Sequence, residues 1–292
     1  MSARNNVARS LAPYQRIAVW GAGSLGALAM ERWLPRERVS AVLDSDPAKQ
    51  GKPFHGLTVS DPATADLSGY DVIAVCITAY LEAFEEIARR GFRGRFFSIY
   101  ELMTDTGGQP QSELEKLSID YLRARNGNLF LTLLSRPQFM TVATYRLTRH
   151  CDQTPMLRPL FYVALFFHYL SCAFTKIELP CTVKAGAGLW FPHLGGTVFN
   201  KDVELGACVN IFQFTTIGAD DSGRMPRIGS FVTVNTGAVV LGDATIGDHS
   251  RIGANATVLG LSCPAGSTLV GTPARVIRTQ NVAADRAKAA AA

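Results

Sequence analysis

The sequence predicts three parts in series: an α/β head over residues 13–104, a helical middle over 110–177 and a C-terminal left-handed parallel β-helix over 178–280. Three observations predict it. Aliphatic residues recur at every sixth position toward the C-terminus. A strand, a glycine-rich turn, a helix and a second strand follow one another near the N-terminus. The stretch between them has helix-forming composition and no strand periodicity.

The period of six is the strongest signal. Ile228, Val234, Val240, Ile246, Ile252, Val258, Pro264, Val270 and Val276 are evenly spaced, and eight of these nine are β-branched aliphatics. Such a period gives each repeat one short strand and one turn, with the aliphatic residue pointing to the axis. Three repeats, about eighteen residues, close one triangular coil. Upstream, Val203, Val209 and Thr215 keep the period, and Phe191 and Thr197 extend it. The frame slips between Ile217 and Ile228, which predicts a loop extruded from the coil.

In the head, Arg16 to Trp20 reads as a first strand leading into G-A-G-S-L-G at Gly21, Gly23 and Gly26. Val39 to Leu43 forms a second strand ending at Asp44. Val72 to Ile77, Leu81 to Arg90 and Phe96 to Ile99 then read as strand, helix and strand. This is the order of a Rossmann-like half. Its first glycine permits a tight turn, the second lets a phosphate approach the backbone, and the third packs helix on strand. The helix N-terminus offers free N–H groups to an anion. Asp44 stands 18 residues after Gly26, where a carboxylate can accept from a ribose hydroxyl. The glycine pattern alone is a weak signal. The head is therefore read either as a site for a nucleotide or nucleotide sugar, or as a shell kept for packing or assembly.

In the middle, Ser112 to Arg125 and Gln138 to His150 read as helices, and Thr154-Pro155 and Arg158-Pro159 punctuate the passage to the next. Leu160 to Phe174 is strongly apolar, but it contains His168 and is followed by Lys176 and Glu178. It is shorter than the roughly 20 residues of a spanning helix. A buried or subunit-facing helix is favoured over peripheral membrane contact.

Composition narrows the function classes. Apolar residues make up 47% and charged residues 18%, which describes a globular chain. The net charge of +5 suits anionic ligands such as nucleotides or CoA and is too scattered for nucleic acid. Six widely spaced cysteines without a C-x-x-C pair read as buried thiols of a reducing compartment, with no zinc site and no disulfide frame. The opening M-S-A-R-N-N-V-A-R-S lacks an apolar h-region, so a cytoplasmic protein is expected.

The hexapeptide array resembles the left-handed β-helix acyltransferases, and within them the serine acetyltransferases and their polysaccharide-modifying relatives. The resemblance is carried by I-E-L-P-C-T-V-K-A-G-A-G-L-W-F-P-H-L-G-G-T-V from Ile177 to Val198, F-Q-F-T-T-I-G from Phe212 to Gly218 and G-T-P-A-R-V-I from Gly271 to Ile277. The helical run R-P-Q-F-M-T-V-A-T-Y-R-L also resembles that family's last N-terminal helices. Together these cover about residues 135 to 278.

The resemblance implies a homotrimer that binds acetyl-CoA between adjacent subunits. His193 falls on the family's catalytic histidine and Glu178, fifteen residues earlier, on the carboxylate that partners it. Imidazole, with a free pKa of about 6.5, can take a proton from an acceptor hydroxyl during attack on a thioester. A carboxylate on the other ring nitrogen fixes its tautomer. The same matching implies backbone contacts to the pantetheine arm from Gly218, Thr236 and Ala254, and phosphate contacts from Arg275 and Arg278.

Three features tied to serine recognition depart from the family. The acid expected before the histidine is Pro192. The family's R-H-P appears as Arg224-Met225-Pro226. The acid expected some sixteen positions before Phe139 has no counterpart, Asp120 being the nearest. An amino-acid pocket needs partners for its ammonium group, because an unpaired buried charge is costly. Pro192, Arg224 and Met225 are thus the expected acceptor contacts. The expected acceptor is a hydroxyl of a sugar, glycan precursor or other small molecule.

The head supports this reading. V-L-D-S-D-P-A-K-Q-G-K-P-F-H-G-L-T-V resembles the small domain before the β-helix of some sugar acetyltransferases, where it holds a nucleotide-linked sugar. There the β-helix follows almost at once, whereas here a helical segment intervenes. Two alternatives stand beside this reading. One is a serine O-acetyltransferase. The other is an NAD(P)- or nucleotide-binding sensor or oxidoreductase with a structural β-helix. A γ-type carbonic anhydrase needs three zinc-binding histidines, and the coils hold only His193 and His249.

Overall fold

A computed structural model describes residues 3–77, 80–105, 111–125 and 128–279. These form two compact units, one up to residue 105 and one from residue 111.

The first unit is built on a sheet of six strands: β1 (Ile17–Trp20), β2 (Val39–Leu43), β3 (Pro53–Phe54), β4 (Leu57–Ser60), β5 (Val72–Val75) and β6 (Arg95–Ser98). Their order is β3-β4-β2-β1-β5-β6, and every pairing except β3–β4 is parallel. The runs I-A-V-W in β1 and V-I-A-V in β5 are buried at every position. That is how a parallel strand covered on both faces reads. Helix α1 (Ala3–Leu11) precedes β1. Helix α2 (Ser24–Arg32) connects β1 to β2, α3 (Tyr80–Arg89) connects β5 to β6, and α4 (Ile99–Thr104) follows β6. The expected third and fourth strands are thus the fifth and sixth. The hairpin β3–β4 was not expected. It turns on His55 and Gly56, both at positive φ, as a two-residue hairpin turn requires.

The second unit joins helices and coils. Helix α5 (Glu113–Ala124) starts on a capping box between Ser112 and Glu115, and α6 (Leu129–Ser135) is capped by Asn128. Helix α7 (Gln138–Gln153) packs on both α5 and α8 (Phe161–Thr175). A 3-10 turn, Pro155–Leu160, joins α7 to α8 at the predicted Thr-Pro and Arg-Pro punctuation. Of the two expectations for α8, a buried or a subunit-facing helix, burial within the chain does not hold. Only His168, Ser171 and Thr175 are buried along it, and its aromatic side chains face outward.

From Ile177 the chain winds into three parallel sheets of short strands, a three-sided β-helix. Each side contributes two inward positions, as in Val203/Leu205, Val209/Ile211, Val232/Val234 and Ala256/Val258. The expected core residues from Ile228 to Val258 are all buried. The last three are not: Pro264, Val270 and Val276 are exposed, and Cys263 and Leu269 fill the axis instead. The frame shifts by one residue after Val258. The chain then leaves the coil, because Arg275–Thr279 runs antiparallel to Ser267–Val270. The slip between Ile217 and Ile228 is an extruded loop held by Asp220, whose carboxylate accepts from the backbone N–H groups of Ser222 and Arg224.

All six cysteines are free. Cys76, Cys208 and Cys263 are buried, while Cys151, Cys172 and Cys181 are only half-buried, short of the expectation for all six.

Candidate active site

The coil that carries the candidate dyad begins where α8 ends. Lys176 takes the left-handed conformation that ends the helix, at φ 59°. Glu178 closes the strand Ile177–Glu178, which pairs with Thr197–Phe199 so that Glu178 is level with Val198. His193 lies in the turn just before that second strand. The next two residues return the backbone toward α8, where Gly195, at φ +138°, donates its N–H to the Thr175 carbonyl at 3.4 Å. The two candidate residues therefore sit on neighbouring rungs. Both side chains are exposed, and no hydrogen bond or ion pair joins them among the described residues.

The imidazole is flanked by groups that the sequence analysis did not single out. The Phe212 ring lies 5.8 Å from it, centroid to centroid, at 49°. Gln138, buried at the start of α7, donates from Nε2 to the Pro192 carbonyl at 3.1 Å and so holds the turn before the histidine. Gln213, beside Phe212, has a buried Oε1 that accepts no hydrogen bond among the described residues. Gln138 lies in R-P-Q-F-M and Gln213 in F-Q-F-T-T, runs quoted above only as family signatures. Their spacing alone carries no sign of a contact with the histidine turn.

The expected acceptor contacts are differently employed. Arg224 is clasped by Asp220, at 2.9 Å from Nε and 2.7 Å from Nη2, with Asp243 at 3.7 Å. Bonds from the Arg224 backbone and guanidinium, together with Ser222 N–H, hold the Asp220 carboxyl below its usual range against desolvation. An incoming carboxylate at Arg224 therefore competes with Asp220. Met225 is half-buried and packs on the β-helix core, and Pro192 is half-buried. Asp120 is wholly buried. Its Oδ1 accepts from the N–H groups of Gly188 and Leu189 at 2.6 and 2.8 Å, and its Oδ2 from Arg146 at 2.8 Å. Through these three bonds it clasps the first coil to α7.

Of the expected CoA contacts, Thr236 and Ala254 fall at the same corner of successive coils, level with Gln213. Gly237 N–H donates to the Gln213 carbonyl, and Asn255 N–H to that of Thr236. Gly218 instead ends a strand of the following side and is level with Leu241. Arg275 is exposed on the terminal antiparallel strand.

In the first unit the three glycines behave differently from one another. A Cβ at Gly26 would stand 1.9 Å from the Gly21 carbonyl oxygen, and one at Gly21 would meet Cys76 O at 2.8 Å. Gly23, which caps α2, faces open space. Asp44 is buried and already accepts three bonds, from Ala22 N–H at 2.7 Å, Asp46 N–H at 2.9 Å and Lys49 Nζ at 2.9 Å. Burial acts to raise its carboxyl, but these donors outweigh it and hold it below the usual range. It staples the glycine turn to the end of β2, and a ribose hydroxyl would compete for oxygens already in use.

Comparison with known proteins adds the following. Residues 225–260 match the model of the bacterial transferase hexapeptide (six repeats). A serine acetyltransferase of Helicobacter pylori is 35% identical over 153 residues, which is 51% of this chain and 86% of the relative. One from Bacillus licheniformis is 35% identical over 123 residues, 41% of this chain and 56% of the relative. A solved serine acetyltransferase in complex with CoA aligns with 57% of this chain and 70% of its own, at 27% identity and a TM-score of 0.46.

Proposed function

Because the chain belongs to the serine acetyltransferase family, we propose that it transfers the acetyl group of acetyl-CoA to the hydroxyl of L-serine. The observation that carries this reading is the 35% identity to a serine acetyltransferase along 86% of that relative's length. An acetyltransferase of this kind needs a base for a hydroxyl, and His193 is the exposed imidazole at the head of the coils. It takes the hydroxyl proton as the oxygen attacks the thioester carbonyl. The C–S bond then breaks, and the proton leaves with the CoA sulfur as a thiol. Glu178, on the neighbouring rung, is the proposed partner of the imidazolium, and Gln138 holds the turn from behind. The proposed CoA contacts are the backbone at Gly218, Thr236 and Ala254, with Arg275 for phosphate.

A second reading keeps the chemistry and changes the acceptor to a hydroxyl of a sugar or glycan precursor. It is favoured by Pro192 and Met225, which offer no charge to an amino acid, and by the employment of Arg224 and Asp120 within the fold. On this reading the glycine turn of the first unit would take a nucleotide or nucleotide sugar. A homotrimer is part of both readings.

The test is free-thiol release from acetyl-CoA with L-serine, simple sugars or nucleotide sugars, with His193→Ala alongside. Serine-dependent release that the variant loses supports the first reading. Release only with sugars moves the acceptor to the second. No release with any of them removes both.

A further inference from the structure

We propose that helix α7 positions the base: Gln138 directly, and Thr141 through Thr175, fix the two ends of the turn that carries His193. The inference rests on His193 being the base of the reaction proposed above. The imidazole is exposed, with the Phe212 ring 5.8 Å away, so its place is set chiefly by the backbone beneath it. At the near end, Gln138 donates from Nε2 to the Pro192 carbonyl at 3.1 Å. A peptide unit is planar, so a carbonyl fixed at Pro192 also fixes the plane that ends at the His193 Cα. The proline ring holds its own φ at about −65° and removes a further freedom from that end. At the far end, Gly195 donates its N–H to the Thr175 carbonyl at 3.4 Å, which fixes the peptide plane that follows Leu194. Between these two planes only the dihedrals of His193 and Leu194 remain.

Both anchors trace to one face of α7. Gln138 is its first residue, and Thr141 stands three residues on, where helical side chains are neighbours. Thr175 Oγ1 donates to the Ser171 carbonyl at 2.8 Å, which uses its one hydroxyl proton. Thr141 is therefore the donor of the 2.6 Å bond to Thr175 Oγ1. Gln138, Thr141 and Thr175 are all buried. A buried amide costs free energy unless it is bonded, and an apolar side chain would fill the same space without that cost. The bond that offsets the cost goes to the carbonyl directly before His193. Both anchors lie within one chain, so they hold whatever covers the imidazole in an assembly. A displacement of about 1 Å can lower a rate about a hundredfold, so the setting of this turn bears directly on transfer. The helical middle thus takes part in the reaction, although none of its residues is proposed to touch the substrate.

The test uses the full chain with acetyl-CoA and L-serine, or with the sugar that supports thiol release. Gln138→Met keeps the length of the side chain and removes the donor. It should lower kcat about ten- to hundredfold, with KM for acetyl-CoA within about twofold and a thermal midpoint near the parent's. Thr141→Val should lower kcat as well, and the double variant should lose less than the product of the two, because both act on one turn. Added to His193→Ala, Gln138→Met should lower the residual rate no further. Gln138→Glu is the conservative check: its acid can donate to the carbonyl only when protonated, so its deficit against the parent should narrow as pH falls. The magnetic-resonance signal of the His193 ring, one of five histidines and assigned by its loss in His193→Ala, should shift or broaden in Gln138→Met. An unchanged kcat with an unmoved ring signal overturns the proposal. So does an equal fractional loss in the parent and His193→Ala backgrounds, which would make Gln138 a residue of the fold alone. A parent that transfers to no acceptor removes the reaction itself, and the ring signal then decides by itself whether α7 sets the turn.

Discussion

Arg146 and Asp120 meet at 2.8 Å, Nε to Oδ2, with both side chains wholly removed from solvent, so α7 and α5 are joined by an ion pair beneath the first coil. The same guanidinium reaches Glu113 at 3.0 Å and the carbonyls of Ala185 and Gly186 at 2.8 and 2.5 Å. With Asp120 on the N–H groups of Gly188 and Leu189, the helices supply hydrogen bonds that the end of a β-helix otherwise lacks. This clasp fixes the coil from which the candidate site grows.

Arg146→Leu leaves two buried carboxylates facing each other without their common partner. A loss of about 3–5 kcal/mol is expected, as for removal of one member of a buried pair. Urea unfolding followed by circular dichroism measures it. A loss below about 1 kcal/mol would mean that the clasp contributes nothing beyond a surface ion pair.

Acid should weaken the same clasp through Glu113. Burial pushes its carboxyl up, but Arg146, Lys116 and Arg149 together hold it below the usual carboxylate range. A carboxyl depressed in the folded state contributes stability above its unfolded pKa and loses that contribution as pH falls through the folded value. Urea midpoints should therefore fall below about pH 4.5. Glu113→Gln, less stable at neutral pH, should show a shallower fall. Parallel curves for parent and variant would rule Glu113 out as the source.

The glycine turn of the first unit offers a contrast within one motif. Gly26→Ala places a Cβ 1.9 Å from the Gly21 carbonyl oxygen and should destabilise that unit by more than about 2 kcal/mol. Gly23→Ala faces open space at an ordinary φ and should leave stability within about 1 kcal/mol of the parent. If the turn holds a nucleotide phosphate, Gly23→Ala should still weaken nucleotide binding in calorimetry, since the methyl enters the space where the phosphate would approach.

Loss of the base should be separable from loss of the fold. His193→Ala is expected to lower acetyl transfer by on the order of 10²–10⁴-fold, with an unchanged thermal midpoint because the ring is exposed. Glu178→Gln should lower it less, since the amide still packs on the same rung. Equal activity in the parent and His193→Ala would remove the proposed base.

Thiol reactivity should follow burial. Cys76, pushed up to about 12 by burial, should resist alkylation in the native protein at mildly alkaline pH. Cys181 is also raised, to about 11, again mainly by burial. Cys151, only half-buried, should label before Cys76 in mass-spectrometric mapping. Early labelling of Cys76 would contradict its place against the glycine turn.

Much of the fold was legible because it is periodic. Ile228 to Val258 are buried as their spacing implied, and β1, β2 and β5 begin within a residue of their predicted starts. The frame shift that puts Cys263 and Leu269 in the axis was not legible, since Pro264, Val270 and Val276 continue the same arithmetic. The β3–β4 hairpin was missed because its strands are too short to show alternation, although His55-Gly56 is a turn pair. In the candidate site, His193 and Glu178 were found by resemblance. Gln138 was not, because a hydrogen bond across 54 residues of sequence leaves no local mark.

By itself the sequence determined the repeat, the number of strands each repeat supplies and the order of the three parts. Each coil touches only its neighbours, so a one-dimensional pattern suffices to specify it. Only the tertiary structure decided what lies against each face. Asp120 stands out in the sequence only as the acid nearest an expected position, and the folded chain surrounds it with Arg146 and two backbone N–H groups. The apolar run in α8 reads as a buried or subunit-facing helix, and the folded chain turns His168, Ser171 and Thr175 inward and leaves the aromatic side chains outside. A period tells which residues share a face. Whether that face meets protein or surroundings depends on which partner supplies hydrogen bonds to the polar side, and here that partner is α7, brought beside α8 by the packing of the helices on the first coil.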